Sequence, residues 1–435
     1  MPNTTSTIDD FVNRPLGRRS LIRKGLAIVA GAGMAAATPP AFVRAAFDED
    51  TTNAEQKRIL VVVQLGGGND GLNTLVPYTD GAYFDARKDV ALDPEELLYV
   101  DDRLALHSSL GALKNIYDRG DLGVILGVGY PKPNRSHFRS MDIWHTGSTD
   151  AHETTGWLGR FLDATHHEQN SLWRAANIGK SLSMALDSDD SFVPSLKSVP
   201  AYVLQTDPRK RSQQDRRVQD WLQLQSVQTT ALAKQAEYGS QLAFVSETGI
   251  SAYQSTIDLH ANVSDYTPSV KYPKTPLGSA LETASQLINS DTGTGVVYVT
   301  TGGFDTHAIQ TATQSGLLGS VSDSLGAFQE DLESHDVADN VITLVWTEFG
   351  RRVNANGSGG TDHGTAGPAF LMGKSVNGGL HGEQPSITKL DEGGDLRYTT
   401  DFRSIYTTLL SRWFETDPTD VISGKFPELP LFSAE

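Results

Sequence analysis

Four runs of aliphatic and β-branched residues stand out along the chain: Ile59–Leu65, Leu122–Val128, Val296–Thr301 and Val341–Thr347. Each is continuously apolar over most of its length, which predicts strands buried on both faces, as in a parallel sheet. Pro368–Met372 predicts a shorter one. Stretches of helical character separate them, at 109–118, 135–145, 277–288, 317–333 and 401–414. Strands alternating with helices predict an α/β fold, a doubly wound and mostly parallel sheet flanked by helices. Residues 209–261 break the rhythm: Arg209 to Val245 is polar, Gln-rich and helix-prone, and reads as a helical insertion or cap. Thr267–Pro276, with three prolines, reads as a linker back to the core.

The N-terminus changes the picture of where this fold works. Arg18-Arg19-Ser20-Leu21-Ile22-Arg23 precedes a weakly apolar Gly/Ala-rich stretch from Gly25 to Ala37, and Val43-Arg44-Ala45 offers a small-residue cleavage site. This is the pattern of a twin-arginine export signal over residues 1–45, too short to span a membrane. The mature chain, 46–435, is then one α/β domain, periplasmic or secreted, with no membrane insertion. The whole chain carries a net charge of −17, and residues 46–435 are more acidic still, with 30 Lys/Arg against 51 Asp/Glu. That balance argues against nucleic acid as a partner. There is no cysteine, so an exported chain must rely on its core, or on metal, in place of disulfides.

Candidate chemistry follows the strands. Gly66-Gly67-Gly68-Asn69-Asp70-Gly71 comes directly after the first run. Read loosely it matches a dinucleotide loop, but Pro77 follows soon and no acidic residue closes a second strand, so that reading is disfavoured. Two readings stay open: the glycines carry Asp70 to the carboxyl edge of the sheet, or Asp70 only caps an Asx-type turn. Gly302-Gly303-Phe304-Asp305-Thr306-His307 closes the third run, and residues two apart in extended backbone point the same way, so Asp305 and His307 can reach one metal. Gly360-Thr361-Asp362-His363-Gly364 follows the fourth run after a loop, and its neighbours Asp362 and His363 converge only if the glycines let the backbone turn. His381 lies on a later loop. Asp70, Asp305, His307, Asp362, His363 and His381 together supply three carboxylates and three imidazoles, the ligand set for two divalent ions such as zinc or manganese. After the second run comes Pro133-Asn134-Arg135-Ser136-His137-Phe138-Arg139, where Asn134 can cap a helix that places Ser136 in its first turn. Ser136 there is either a nucleophile beside an anion-favouring helix end or only a cap. Arg135 and Arg139 could hold an anionic ester. His137 stands first among the further histidines near this edge, ahead of His107 and His145.

The leader together with GGGNDGLN, NRSHF, GGFDTH, TEFGR and GTDHG is similar to the exported bacterial domain-of-unknown-function 1501 family, and the order of parts resembles the alkaline phosphatase-like superfamily. The resemblance implies that fold. It also implies a hydrolase of phosphate or related esters, including sulfates and phosphodiesters, acting on a small or polymer-linked anionic ester. Asp305, His307 and His381 would bind one metal and Asp70, Asp362 and His363 the other, with Ser136 as nucleophile forming a covalent ester. Ser136-His137-Phe138-Arg139 lacks the Pro or Ala of formylglycine sulfatases, which disfavours that chemistry. In the phosphatases the first Asp and His stand further apart than Asp305 and His307, and Asp-His directly follows its strand. These differences motivate a second expectation: an exported, non-catalytic protein that keeps the fold and binds a metal or an envelope partner.

Overall fold

The computed structural model describes residues 58–165, 173–203 and 253–433, save 254, 258, 264, 265 and 291. Residues 1–45, expected as an export leader, and most of the insertion expected at 209–261 lie outside the described residues. Asp50–Tyr202 and Leu259–Glu435 belong to one compact unit, which contains everything described below.

Nine strands form the main sheet: β1 (Ile59–Gly66), β2 (Leu122–Gly129), β3 (Ala175–Ile178), β4 (Ser195–Leu196), β5 (Val296–Gly302), β6 (Val341–Trp346), β7 (Gly367–Met372), β8 (Gly379–His381) and β9 (Thr400–Asp401). Their order is β8-β2-β7-β6-β1-β5-β3-β4, with β9 also paired to β2. All pairs are parallel except those of β7, which runs antiparallel to both β2 and β6. The sheet is thus doubly wound and mostly parallel, as expected. Pro368 cannot donate to a ladder, and the register of β7 against β2 shifts at that residue, where a bulge removes the need.

Alternation along β1 shows why both faces are covered. Ile59, Val61, Val63 and Leu65 enter one apolar cluster, whereas Leu60 and Val62 enter the other. Among the described residues, eight α-helices have both ends bounded: α1 (Gly71–Thr74), α2 (Gly81–Ala86), α3 (Gly111–Asp118), α4 (His137–Thr146), α5 (Trp157–Ala164), α6 (Pro276–Ile288), α7 (Gln310–Ser334) and α8 (Phe402–Thr408). Leu113 of α3, Leu281 of α6 and Leu325 of α7 fill the first cluster. Trp144 of α4, Leu158 of α5 and Tyr406 of α8 fill the second. Each such side chain contributes about 1.5–3 kcal/mol by leaving water, so the layered core carries the stability and leaves the strand ends free for polar work. Among the described residues, no helix is long and apolar enough to cross a membrane.

The linker expected at Thr267–Pro276 is anchored. The buried carboxylate of Asp331 on α7 accepts from Tyr266 Oη at 2.5 Å, Tyr272 Oη at 2.8 Å, Ser285 Oγ at 2.6 Å, and both Ser269 N and Ser269 Oγ at 2.8 Å. It clamps this segment between α6 and α7.

Candidate metal centre

β1 and β5 end level with each other, Gly66 opposite Gly302, and β6 ends beside them with Trp346 opposite Gln64. Ligand sites of open α/β sheets lie at such carboxyl ends. The two loops leaving β1 and β5 touch: a Cβ on Gly67 would stand 2.5 Å from Asp305 N, and its φ of 121° suits glycine alone. Arg351, fully buried, ties these loops together. It donates to the carbonyls of Gly67 and Gly68, to Phe304 O at 3.0 Å, to Thr361 O at 2.9 Å and to Asp305 Oδ1 at 2.6 Å.

Three imidazoles face Asp305. Oδ1 of that carboxylate lies 3.0 Å from His363 Nε2, 3.0 Å from His307 Nε2 and 3.5 Å from His137 Nε2. In every case the opposite ring nitrogen is engaged by an oxygen. His137 Nδ1 donates to Glu348 Oε1 at 2.8 Å, His307 Nδ1 to Asp362 Oδ1 at 3.1 Å, and His363 Nδ1 to Arg135 O at 2.9 Å. A neutral imidazole protonated at Nδ1 carries its lone pair on Nε2. The three Nε2 lone pairs therefore converge. His307 Nε2 and His363 Nε2 are 2.9 Å apart, and His137 Nε2 is buried with no hydrogen-bond partner. Facing lone pairs and an orphaned nitrogen beside a carboxylate are the features of a place that suits a cation. Potential ligand atoms of His137, Asp305 and His363 all lie within 4.8 Å of one another.

Burial pushes the Asp305 carboxyl up, but the hydrogen bond and the charge of Arg351 outweigh it and hold it down at about 2. Asp305 is thus ionised at any ordinary pH. Asp362 is also held below the usual range, first by the hydrogen bond from Asn356 and then by His307.

The hairpin Arg351–Ala355/Thr361–His363 delivers Asp362 and His363. It packs on the loop after β5: Thr361 N donates to Thr306 O at 3.2 Å, and Asn356 Nδ2 to His307 O at 2.9 Å. Adjacent strand residues face opposite ways, and His307 is reached from both through its two nitrogens. Asp362 accordingly meets His307 Nδ1 and stands behind that ring.

The structure does not bring Asp70 or His381 into this cluster. Asp70 is the N-cap of α1, accepting from Leu72 N at 3.2 Å, which is the Asx-type turn left open above. Its side chain is fully buried on Arg87 Nη1 at 2.5 Å, with Gln310 Nε2 also at 2.5 Å. The glycines thus serve the approach of the loops, and a buried arginine satisfies the carboxylate. His381, expected on a loop, lies in β8 opposite Ile125, and its Nε2 donates to Asn377 O at 2.8 Å. Its ring packs over Gly123, at the opening end of β2 and so away from the strands' carboxyl ends.

α4 begins at His137, two residues later than expected. Ser136 is its N-cap, exposed and without a side-chain capping bond, and Asn134 Oδ1 accepts from Ser136 N at 2.8 Å. Arg135 pairs with Asp395, and Arg139 donates to Thr149 O at 2.8 Å. Both guanidinium groups are therefore used within the fold. His145 is half-buried with its pKa pushed down to about 4 by desolvation, and contacts Gln64 Oε1 at 2.9 Å. His107 is buried and accepts from Ser109 N.

Sequence reasoning passed over Glu348, Arg351 and Gln310. The first two had a usable signal: Thr347-Glu348-Phe349-Gly350-Arg351 follows a buried strand, just as Asp305 does. Gln310 had none, because its partner Asp70 is 240 residues away.

Solved structures similar to this chain include a protein in the alkaline phosphatase superfamily from Vibrio parahaemolyticus, at 11% identity and TM-score 0.37 over 92% of this chain and 75% of that one. Another is a phosphonate monoester hydrolase of Agrobacterium radiobacter, at 8% identity and TM-score 0.40 over 82% and 74%. A third is the C-terminal periplasmic domain of EcEptC from Escherichia coli in complex with Zn, at 10% identity and TM-score 0.37 over 86% and 88%. No curated protein matches the chain. The sequence pattern of the family described as protein of unknown function (DUF1501) matches residues 56–423, so the chain belongs to that family.

Proposed function

We propose that this protein is an exported, metal-dependent hydrolase of phosphate or related esters, built on an alkaline phosphatase-like sheet and carried through the membrane by its Arg18-Arg19 leader. The observation that carries the reading is the convergence of three Nε2 atoms on Asp305 with all three Nδ1 atoms already engaged. His137, His307, His363 and Asp305 would hold one divalent ion, zinc or manganese, where two ions were expected from the ligand inventory. Such an ion supplies Lewis acidity toward an ester oxygen.

The chain's own groups supply the rest. Ser136 precedes His137 directly and is exposed, with no side-chain capping bond. It stands at the N-terminus of a ten-residue helix, where free N–H groups and the helix dipole favour an anionic ester. Ser136 is accordingly the nucleophile of this reading.

The test is turnover of aryl phosphates, phosphodiesters and aryl sulfates by zinc- or manganese-loaded protein. Activity that falls roughly a hundredfold or more in Ser136→Ala agrees with the proposal. Absence of turnover, or no change in Ser136→Ala, contradicts it. A second reading, a metal-binding protein without turnover, draws on Arg135, Arg139 and Arg351 all being spent inside the fold. Stoichiometric metal with no activity on any of these esters would select it.

A further inference from the structure

Glu348 is a deeply buried acid at this edge, with a side chain 1% exposed. It is the second residue after β6, on the turn that faces the loop leaving β1. Its Oε1 accepts two hydrogen bonds, from Gly67 N at 2.9 Å and from His137 Nδ1 at 2.8 Å, while Thr347 Oγ1 lies 3.1 Å from Oε2. A carboxylate in such surroundings accepts and does not donate, so the nitrogen facing it must carry the proton. The His137 ring is held in place besides: its centroid is 4.3 Å from His363 and 4.9 Å from Phe349. Nε2 is left buried, without a hydrogen-bond partner, 3.5 Å from Asp305 Oδ1.

We propose that Glu348 is a positioning residue: it fixes His137 as the Nδ1–H tautomer and so turns Nε2 into a metal ligand of the centre. This rests on the metal reading above. The two other imidazoles are oriented by weaker or more exposed groups, a carbonyl for His363 and the 57% exposed Asp362 for His307. His137 alone is backed by a water-excluded carboxylate, the arrangement that both orients an imidazole and raises its basicity toward a metal. The same Oε1 atom holds Gly67 N, so the loop leaving β1 and the imidazole are set by one group.

Two measurements on the mature protein test this, with zinc alone as the probe. Competition against a chromophoric chelator is expected to show zinc binding weakened about 10–100-fold in Glu348→Ala. Recovery is expected in Glu348→Gln, whose carbonyl oxygen can still accept from both donors. In a His137→Ala background, Glu348→Ala should produce little further loss. Equal losses in both backgrounds would overturn the proposal, because Glu348 would then act through the fold. Nitrogen-15 spectra of the metal-free wild type, at a pH where imidazoles are neutral, should show His137 protonated at Nδ1. An Nε2–H tautomer overturns the proposal even if the alanine variant fails to fold. Wild-type protein with the Nδ1–H tautomer but no zinc affinity overturns the metal reading, and with it the ligand role of His137, while leaving the hydrogen-bonded pair intact.

Discussion

Replacing Asp70 by alanine is expected to destabilise the protein by about 3–5 kcal/mol even when every metal ion has been removed, because it strands a buried charge. Arg87 has no exposed side-chain surface and gives its donors to Asp70, Asn73 Oδ1, Val353 O and Arg352 O. Those last three partners are neutral, so the guanidinium charge would remain inside without a counter-charge. The same substitution frees Gln310, whose Oε1 accepts from Thr361 Oγ1 at 2.5 Å and thereby steadies the hairpin bearing Asp362 and His363. Urea titration of chelator-treated wild type and Asp70→Ala measures this. A stability loss that appears only with metal present would return Asp70 to the role of ligand.

Asp331→Ala is expected to cost a similar amount, about 3–5 kcal/mol, for the opposite reason: it removes an acceptor and leaves its donors unmatched. Four hydroxyl or amide donors from Tyr266, Tyr272, Ser285 and Ser269 N would lose their partner, and Ser269 Oγ with them. Desolvation raises the pKa of both tyrosines, so they stay protonated donors. Burial pushes Asp331 up, but the hydrogen bonds from Ser285, Tyr266 and Ser269 outweigh it, and its pKa is lowered overall. A lowered folded-state pKa contributes stability that is fully present above the unfolded value of about 3.9. That stability is lost as the pH falls through the folded value. Denaturation followed from neutral to acid pH should therefore show a component below about pH 4 that disappears in Asp331→Asn. A pH profile identical to wild type would contradict the assignment.

The sheet was legible because its strands are buried on both faces, and burial on both faces leaves continuous apolar runs. Val296–Thr301 and Leu122–Val128 were read to within a residue of β5 and β2. The direction of β7 was not legible: pairing direction depends on neighbours such as β2, which lies more than 200 residues earlier, and Pro368 only hints at a bulge. β3 and β4 were missed because Ala175–Ile178 and Ser195–Leu196 are too short to carry a period. At the site, Asp305, His307 and His363 were legible because they follow strands and stand beside glycines that let backbones approach. Asp70 obeyed the same local rule and yet turned inward, since Arg87 is 17 residues on and nothing in the spacing announces the pair. His381 looked like a loop residue because three glycines surround it, and strand pairing with β2 settled it elsewhere. His137 was ranked first among the further histidines near the site, but not as a metal ligand. Its role depends on Glu348, a contact 211 positions away that no local pattern encodes.

Metal content measured by elemental mass spectrometry on the mature protein tests the metal centre most directly. The expected result is one divalent ion per chain, lost in Asp305→Ala and in His363→Ala but retained in His381→Ala. Two ions per chain, with one lost in His381→Ala, or no bound metal in the wild type, would contradict a centre formed by His137, Asp305, His307 and His363.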